Sequence, residues 1–136
     1  MLSMKAKYSI RSLMVLAKDP GHMLAIKTIA EKADVPQKFL EAILLELKHH
    51  SIVDSKRGIF GGYFLSKKPE EVTIGSLIRI IDGPLAPIRC ASLTAYQKCD
   101  DCVDEKSCAI RKLMLNVRHA ISDVLDKKTL AEICIE

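Results

Sequence analysis

The chain has 136 residues, 49% of them hydrophobic and 28% charged, with a net charge of +4; this fits one domain, or one small domain with an appendage, of ordinary folded composition. No apolar run approaches the roughly 18 residues of a membrane span, and the start Met-Leu-Ser-Met-Lys-Ala-Lys has no apolar core followed by a cleavage site, so a cytoplasmic protein with no membrane association is expected. The charge is uneven: residues 1–69 hold twelve Lys/Arg against six Asp/Glu and residues 70–136 nine against eleven, so a polyanionic partner would meet the first half.

From about Met4 to Ala17 the residues Met4, Tyr8, Ile10, Leu13, Met14 and Ala17 approximate a helical stripe, stopped by Asp19-Pro20-Gly21. A short second helix from about Ile26 to Ala33 puts Ile26, Ile29, Ala30 and Ala33 on one face, with Thr28 and Glu31 at capping-box spacing. Asp34-Val35-Pro36 makes a break, and proline suits the first turn of the next helix because its missing N–H would have no partner there. The third helix, from about Pro36 to His49, is expected to bury Phe39, Leu40, Ile43, Leu44 and Leu47 and to leave Gln37, Lys38, Glu41, Ala42 and Lys48 outward. Two helices joined by a tight turn, the second with a polar face, have the layout of a helix-turn-helix.

Ser51 to Lys56 reads as a strand, Arg57-Gly58-Ile59-Phe60-Gly61-Gly62 as a turn and Tyr63 to Ser66 as the returning strand. An arginine on such a glycine-rich tip can enter a minor groove, where the potential is most negative. A helix-turn-helix followed by a hairpin is a winged helix. Thr73 then caps a helix through Ile74, Leu77, Ile78 and Ile81, ended by Asp82-Gly83-Pro84. Pro84 to about Lys106 lacks periodicity and reads as a loop. A long helix from about Ser107 to Leu125 carries Ile110, Leu113, Met114, Val117, Ile121, Val124 and Leu125 close to a coiled-coil seam, available to the core or to a second subunit. Thr129 and Glu132 stand at capping-box spacing for a terminal helix.

The loop holds Cys90, Cys99, Cys102 and Cys108, four of the five cysteines within nineteen residues. In a reducing compartment clustered thiols bind metal or sense redox state rather than staple a fold. Four thiolates satisfy a two-iron cluster, a four-iron cluster or tetrahedral zinc, so ligand number leaves these open beside a thiol–disulfide switch and no cofactor at all. Asp100, Asp101, Asp104 and Glu105 raise the thiol pKa values, partly offset by Lys98 and Lys106, which favours a bound cation over a bare reactive thiolate. Cys134 reads as a small buried hydrophobe and the four histidines as surface residues. Cys99-x-x-Cys102 lacks a thioredoxin-like setting, and no nucleophile–base pair or phosphate-binding glycine loop appears, so an enzyme is not expected.

Over nearly its whole length the chain resembles the small winged-helix transcription regulators that include IscR, NsrR and CymR. The resemblance rests on Lys7-Tyr8-Ser9-Ile10, Ile29-Ala30-Glu31, Val35-Pro36, Phe39-Leu40-Glu41, the wing from Val53 through Arg57-Gly58 to Gly61-Gly62-Tyr63, and a cysteine loop ahead of a long helix. It implies a mainly α fold with a small β-hairpin: a winged helix-turn-helix DNA-binding domain over 1–83, a cysteine-rich sensing loop over 84–106, and a dimerisation helix and C-terminal helix over 107–136. It also implies a homodimer on a pseudo-palindromic double-stranded operator, with half-sites roughly 34–36 Å, or a multiple of that, apart. Lys38, Glu41 and Ala42 fall where the family reads bases and Arg57-Gly58 where it enters the minor groove; Gln37 is counted with the DNA-binding residues, and Lys5, Lys7 and Lys56 are assigned to phosphates.

Cluster-binding members of that family supply three loop cysteines plus a histidine or an acid. Here Arg111 and Lys7 stand near those places and cannot ligate, whereas an additional cysteine completes an all-thiolate set of Cys90, Cys99, Cys102 and Cys108. The expectation is a regulator, a repressor in its action, that senses iron, redox or nitric-oxide status through an iron–sulfur cluster of two or four irons. The alternatives are a winged-helix regulator with a disulfide switch or structural zinc, and an adaptor that has lost DNA contact.

Overall fold

The computed structural model describes residues 2–135. Six α-helices and one hairpin follow in the order α1 (Met4–Ala17), α2 (Ile26–Ala33), α3 (Gln37–His49), β1 (Val53–Lys56), β2 (Gly62–Leu65), α4 (Ile74–Ile81), α5 (Ala109–Leu125) and α6 (Leu130–Cys134). Two 3-10 turns, Pro69–Glu71 and Arg89–Ala91, lie between β2 and α5. This is the mainly helical winged arrangement expected, with its long helix near the C-terminus.

Ser3 caps α1 by accepting from the Ala6 N–H at 3.0 Å, and its own N–H donates to Asp82 at 3.0 Å, which joins the start of α1 to the end of α4. The buried face of α1 is Ala6, Ser9, Ser12, Leu13 and Leu16, whereas Met4 of the expected stripe is exposed. Both serines are buried without cost because their hydroxyls donate back to the carbonyls of Lys5 (2.8 Å) and Tyr8 (2.7 Å). The expected Thr28–Glu31 capping box is not formed: Ala25 precedes α2, and no side chain caps it. The helix instead ends on Asp34 in the left-handed region (φ 53°), where the Val35 N–H returns to the Ala30 carbonyl at 3.0 Å. Arg11 on α1 meets Asp34 at 3.3 Å and steadies that turn.

Leu40, Ile43, Leu44 and Leu47 seat α3 on the core with Leu13, Leu16 and Ile29. Phe39, expected on that face, is 57% exposed and faces Tyr8 across a ring separation of 6.4 Å. At about 100° per residue Phe39 lies more than a quarter turn from Leu40, on the flank of the stripe that the other four form. The hairpin pairs antiparallel from Val53↔Leu65 to Lys56↔Gly62, so the first strand is two residues shorter than the sequence suggests and the second is shifted back by one; Ser51, in a positive-φ turn (61°), precedes β1. Leu24 bridges Tyr63 through bonds of 2.9 and 2.8 Å, and a Cβ on Gly62 would stand 2.3 Å from the Leu24 carbonyl oxygen. The wing is thereby clamped where β2 leaves the turn, and Ile59 and Phe60 of the turn itself stay exposed.

Thr73 caps α4 as its sequence indicates, and Thr129 and Glu132 form the full capping box of α6. Thr73 bridges Thr129, the Leu130 N–H donates to Val72 at 2.7 Å, and Leu130 is fully buried. After α5 the chain therefore returns to the core and packs α6 on α1. Helix α5 begins two residues later than the sequence suggests, with Cys108 as its N-cap, and Arg118 is its only buried residue. Seventeen residues, about 25 Å of helix, thus present most of their surface outward. Among the described residues no helix is long and apolar enough to cross a membrane.

Candidate DNA-reading face and cysteine pocket

Gln37, Lys38, Glu41 and Ala42 lie on successive turns at the start of α3, all exposed. Burial of the opposite face holds that row of side chains in a fixed orientation. Lys38, Glu41, Lys7, Lys56 and Arg57 are exposed, and their side chains make no hydrogen bond or ion pair among the described residues. Lys5 differs: its ammonium sits 2.5 Å from Glu46 and ties α1 to α3. Lys48 is likewise engaged, 2.8 Å from the Ser55 hydroxyl, which braces the end of α3 against the wing.

At the wing tip Gly58 has a φ of 115° with open space around it, a conformation that lets the chain turn sharply beside Arg57. Ile59 and Phe60 follow it at 96% and 91% exposure. The sequence pattern assigns these two no role; large apolar residues inside a glycine-flanked turn are the signal that could have found them. Phe39 and Tyr8 are a second omission, lining with Met4 and Ala42 an apolar groove of about 470 Å³ between α1 and α3.

The four clustered cysteines come together. Cys90, on the 3-10 turn and buried, and Cys99, Cys102 and Cys108 all line one pocket of about 370 Å³, beside Arg111. The Cys90 and Cys99 sulfurs are 3.8 Å apart. Cys108 accepts from the Arg111 N–H at 3.4 Å, and the Arg111 side chain donates to the Cys90 carbonyl at 3.1 Å, so the start of α5 is laced to the 3-10 turn. Tyr96 donates to Glu105, closing the loop and raising the tyrosine pKa. The hydrogen bond with Cys90 raises the Cys99 pKa, with desolvation and neighbouring negative charge adding to it, and desolvation followed by Glu105 raises that of Cys102. Cys134 lies apart, partly buried against the core with its sulfur 3.9 Å from the Met14 carbonyl.

Among the described residues no three His, Cys, Asp or Glu side chains converge on a point that could hold one metal ion. A lone tetrahedral ion needs its ligands that close. A cluster does not, because each of its irons takes its own thiolates.

Residues 2–136 match the family described as Rrf2, iron-dependent transcriptional regulator. The chain belongs to the Rrf2 family. An rrf2-like protein of Rhodobacter capsulatus, named as an HTH-type transcriptional regulator, is 43% identical, covering 97% of this chain and 91% of its own. The Bacillus subtilis CymR structure, described as the global cysteine regulator of that organism, superposes with a TM-score of 0.80 at 30% identity, covering 98% of this chain and 95% of that one. The T. potens IscR structure gives 0.73 at 28% identity, over 98% and 85%. As an Rrf2 protein the chain is a DNA-binding transcriptional regulator with a winged helix-turn-helix, not an enzyme.

Proposed function

We propose that this Rrf2 protein reads its operator as a homodimer through α3 and the wing, and that the four-cysteine pocket holds an iron–sulfur cluster whose state sets DNA affinity. The supporting observation is that all four thiols line one cavity at the N-terminus of α5. The donor set fits. Cys90 and Cys99 stand 3.8 Å apart, close to the ~3.8 Å between two thiolates on one tetrahedral metal with bonds of about 2.3 Å. Without a third ligand converging on that pair, a two-iron cluster that Cys90, Cys99, Cys102 and Cys108 would hold suits the pocket better than a lone zinc. When bound, such a cluster supplies reversible one-electron and ligand-exchange chemistry. Arg111 lines the same pocket and its N–H donates to Cys108, so its positive charge would offset that of the thiolates.

Gln37, Lys38, Glu41 and Ala42 read bases in the major groove, Glu41 accepting from a cytosine amine and Lys38 reaching guanine or phosphate. Arg57 enters the minor groove, and Ile59 and Phe60 pack on sugars beside it. Lys7 and Lys56 neutralise phosphates; Lys5 does so only by leaving Glu46. The chain then divides as reading unit 1–83, sensing segment 84–106 and coupling segment 107–136. Because Cys108 is the N-cap of α5, a change in its bonding alters the helix that would join two copies.

The Cys90–Cys99 separation also favours a second reading, a disulfide. Protein prepared without oxygen is expected to carry about two irons and two sulfides per chain, to absorb in the visible, and to lose both in Cys90→Ser and Cys102→Ser but not in Cys134→Ser. Colourless protein whose operator affinity responds to oxidant, with Cys90 and Cys99 linked by mass, would replace the cluster with the disulfide. Unchanged operator binding with all four cysteines substituted would remove sensing and leave DNA recognition standing.

A further inference from the structure

Arg118 is the one strongly buried charge among the described residues, 8% exposed in the middle of a helix that is otherwise turned outward. Its guanidinium bonds there only from Nη2, to the ring of neighbouring His119 (3.0 Å to Nδ1), and its Nε is buried without a partner. A desolvated cation that lacks an anion costs several kcal/mol, so the arrangement calls for a counter-charge. The nearby carboxylate of Asp126 acts on Arg118 through charge alone, its two oxygens being held by Arg79.

Arg118 and Arg79 line a pocket of about 150 Å³ between α4, α5 and the segment that leads to the cysteines. Its other walls include Pro84, Leu85 and Ala86, with Ser92 on the polar side. The Ser92 oxygen accepts from the N–H groups of Thr94 (3.3 Å) and Ala95 (2.9 Å), which leaves its hydroxyl proton free to donate. The volume corresponds to about five waters. A planar guanidinium fork recognises a carboxylate at two points, and the Pro84, Leu85 and Ala86 wall suits a short hydrocarbon tail rather than a hydrated inorganic anion.

We propose that this pocket binds a small organic carboxylate of about two to four carbons, its head group on Arg118 with Ser92 and its tail on Pro84, Leu85 and Ala86. The site is separate from the cysteine pocket and from the reading face, and it needs neither assignment above to hold. Bound there, the ligand ties α4 to α5 and stabilises the folded chain by mass action.

The test uses the full chain, titrated with propionate and butyrate, with inorganic phosphate as the comparison, by calorimetry and by the NMR signal of the Arg118 Nε–H. Saturable binding is expected, with displacement of that signal, at least about tenfold preference for butyrate over phosphate, and at least about tenfold loss in Arg118→Lys. Arg118→Met is expected to melt no lower than the ligand-free wild type, since it removes a buried cation with no carboxylate bonded to it, and to bind no carboxylate. Equal response to phosphate, a response that survives Arg118→Lys, or no response from the wild type would each overturn the proposal. A carboxylate of a second copy already on Arg118 would show as that last result. If Arg118→Met does not fold, Arg118→Lys and the Nε–H signal decide.

Discussion

Arg79 and Asp126 meet at two points, Nη1 to Oδ1 at 2.5 Å and Nη2 to Oδ2 at 2.9 Å, and so fasten the residue that ends α5 to the side of α4. Gly75, one turn before Arg79, makes room for them: a Cβ there would lie 2.0 Å from Asp126 Oδ1 and 3.2 Å from Arg79 Nη1. Alanine in place of a helix-interior glycine ordinarily stabilises by about 1 kcal/mol; Gly75, the second residue of α4, would gain at most about that much, and here the gain is opposed by expulsion of the carboxylate. Gly75→Ala is therefore expected to be neutral or destabilising in the wild type and stabilising by up to about 1 kcal/mol in an Asp126→Ala background. Denaturant unfolding of the four proteins of that cycle checks the change of sign.

The same clip has a pH signature. The hydrogen bonds from Arg79 hold the Asp126 carboxyl below its ordinary value, and the arginine is raised in turn. A carboxyl depressed in the folded state contributes fully above its unfolded value of about 4 and loses that contribution as pH falls through the lower, folded value. The pair is more than one-third exposed, so its worth is about 1 kcal/mol after screening. The melting-temperature gap between wild type and Asp126→Asn is expected to hold constant between about pH 8 and 5 and to close below about pH 4. A gap that widens with acid would show that Asp126 is not the stabilised group.

Arg57 and Lys38 are exposed and unpaired, so their removal leaves the fold intact and isolates DNA affinity. Arg57→Ala and Lys38→Ala are each expected to lower operator affinity about tenfold and to reduce the slope of log affinity against log salt by about 1, the mark of one phosphate no longer neutralised. Glu41→Gln is expected to act differently, relaxing discrimination among operator variants while leaving that slope unchanged. Titrations of labelled operator across salt concentrations measure both. A slope unaltered by Arg57→Ala would take the wing tip off the DNA.

Local chemistry makes parts of this structure readable from the chain alone. Thr73 and the Thr129–Glu132 box cap their helices because a side chain three residues from an N–H needs little else. Thr28 and Glu31 have the same spacing and form no box, since the start of α2 is placed by the Leu24–Tyr63 bridge, a pairing of residues far apart in the sequence. Ser9 and Ser12 are absent from the apolar stripe that the sequence shows for α1, and only the packed helix turns their hydroxyls back onto its carbonyls and buries them. The cysteines are visible as a group, but Cys108 as the N-cap of α5 is not, and the burial of Arg118 depends on how the segment after α4 folds over it.

Helix α5 exposes Ile110 (65%), Leu113 (56%) and Val124 (66%) along its outward side, and this is where a second copy is expected to dock. A large apolar side chain removed from water stabilises by roughly 1.5–3 kcal/mol. In a two-fold interface every substitution is made twice, so Leu113→Glu is expected to weaken association by about 3–6 kcal/mol, or roughly two to four decades in the dimer constant. Leu113 lies outside the buried core, so the monomer should keep its helical content. Sedimentation equilibrium should find wild type dimeric and Leu113→Glu monomeric at micromolar concentration, and the monomer should lose its high-affinity operator shift because one reading head meets only one half-site. A Leu113→Glu protein that remains dimeric would place the contact between copies on another surface.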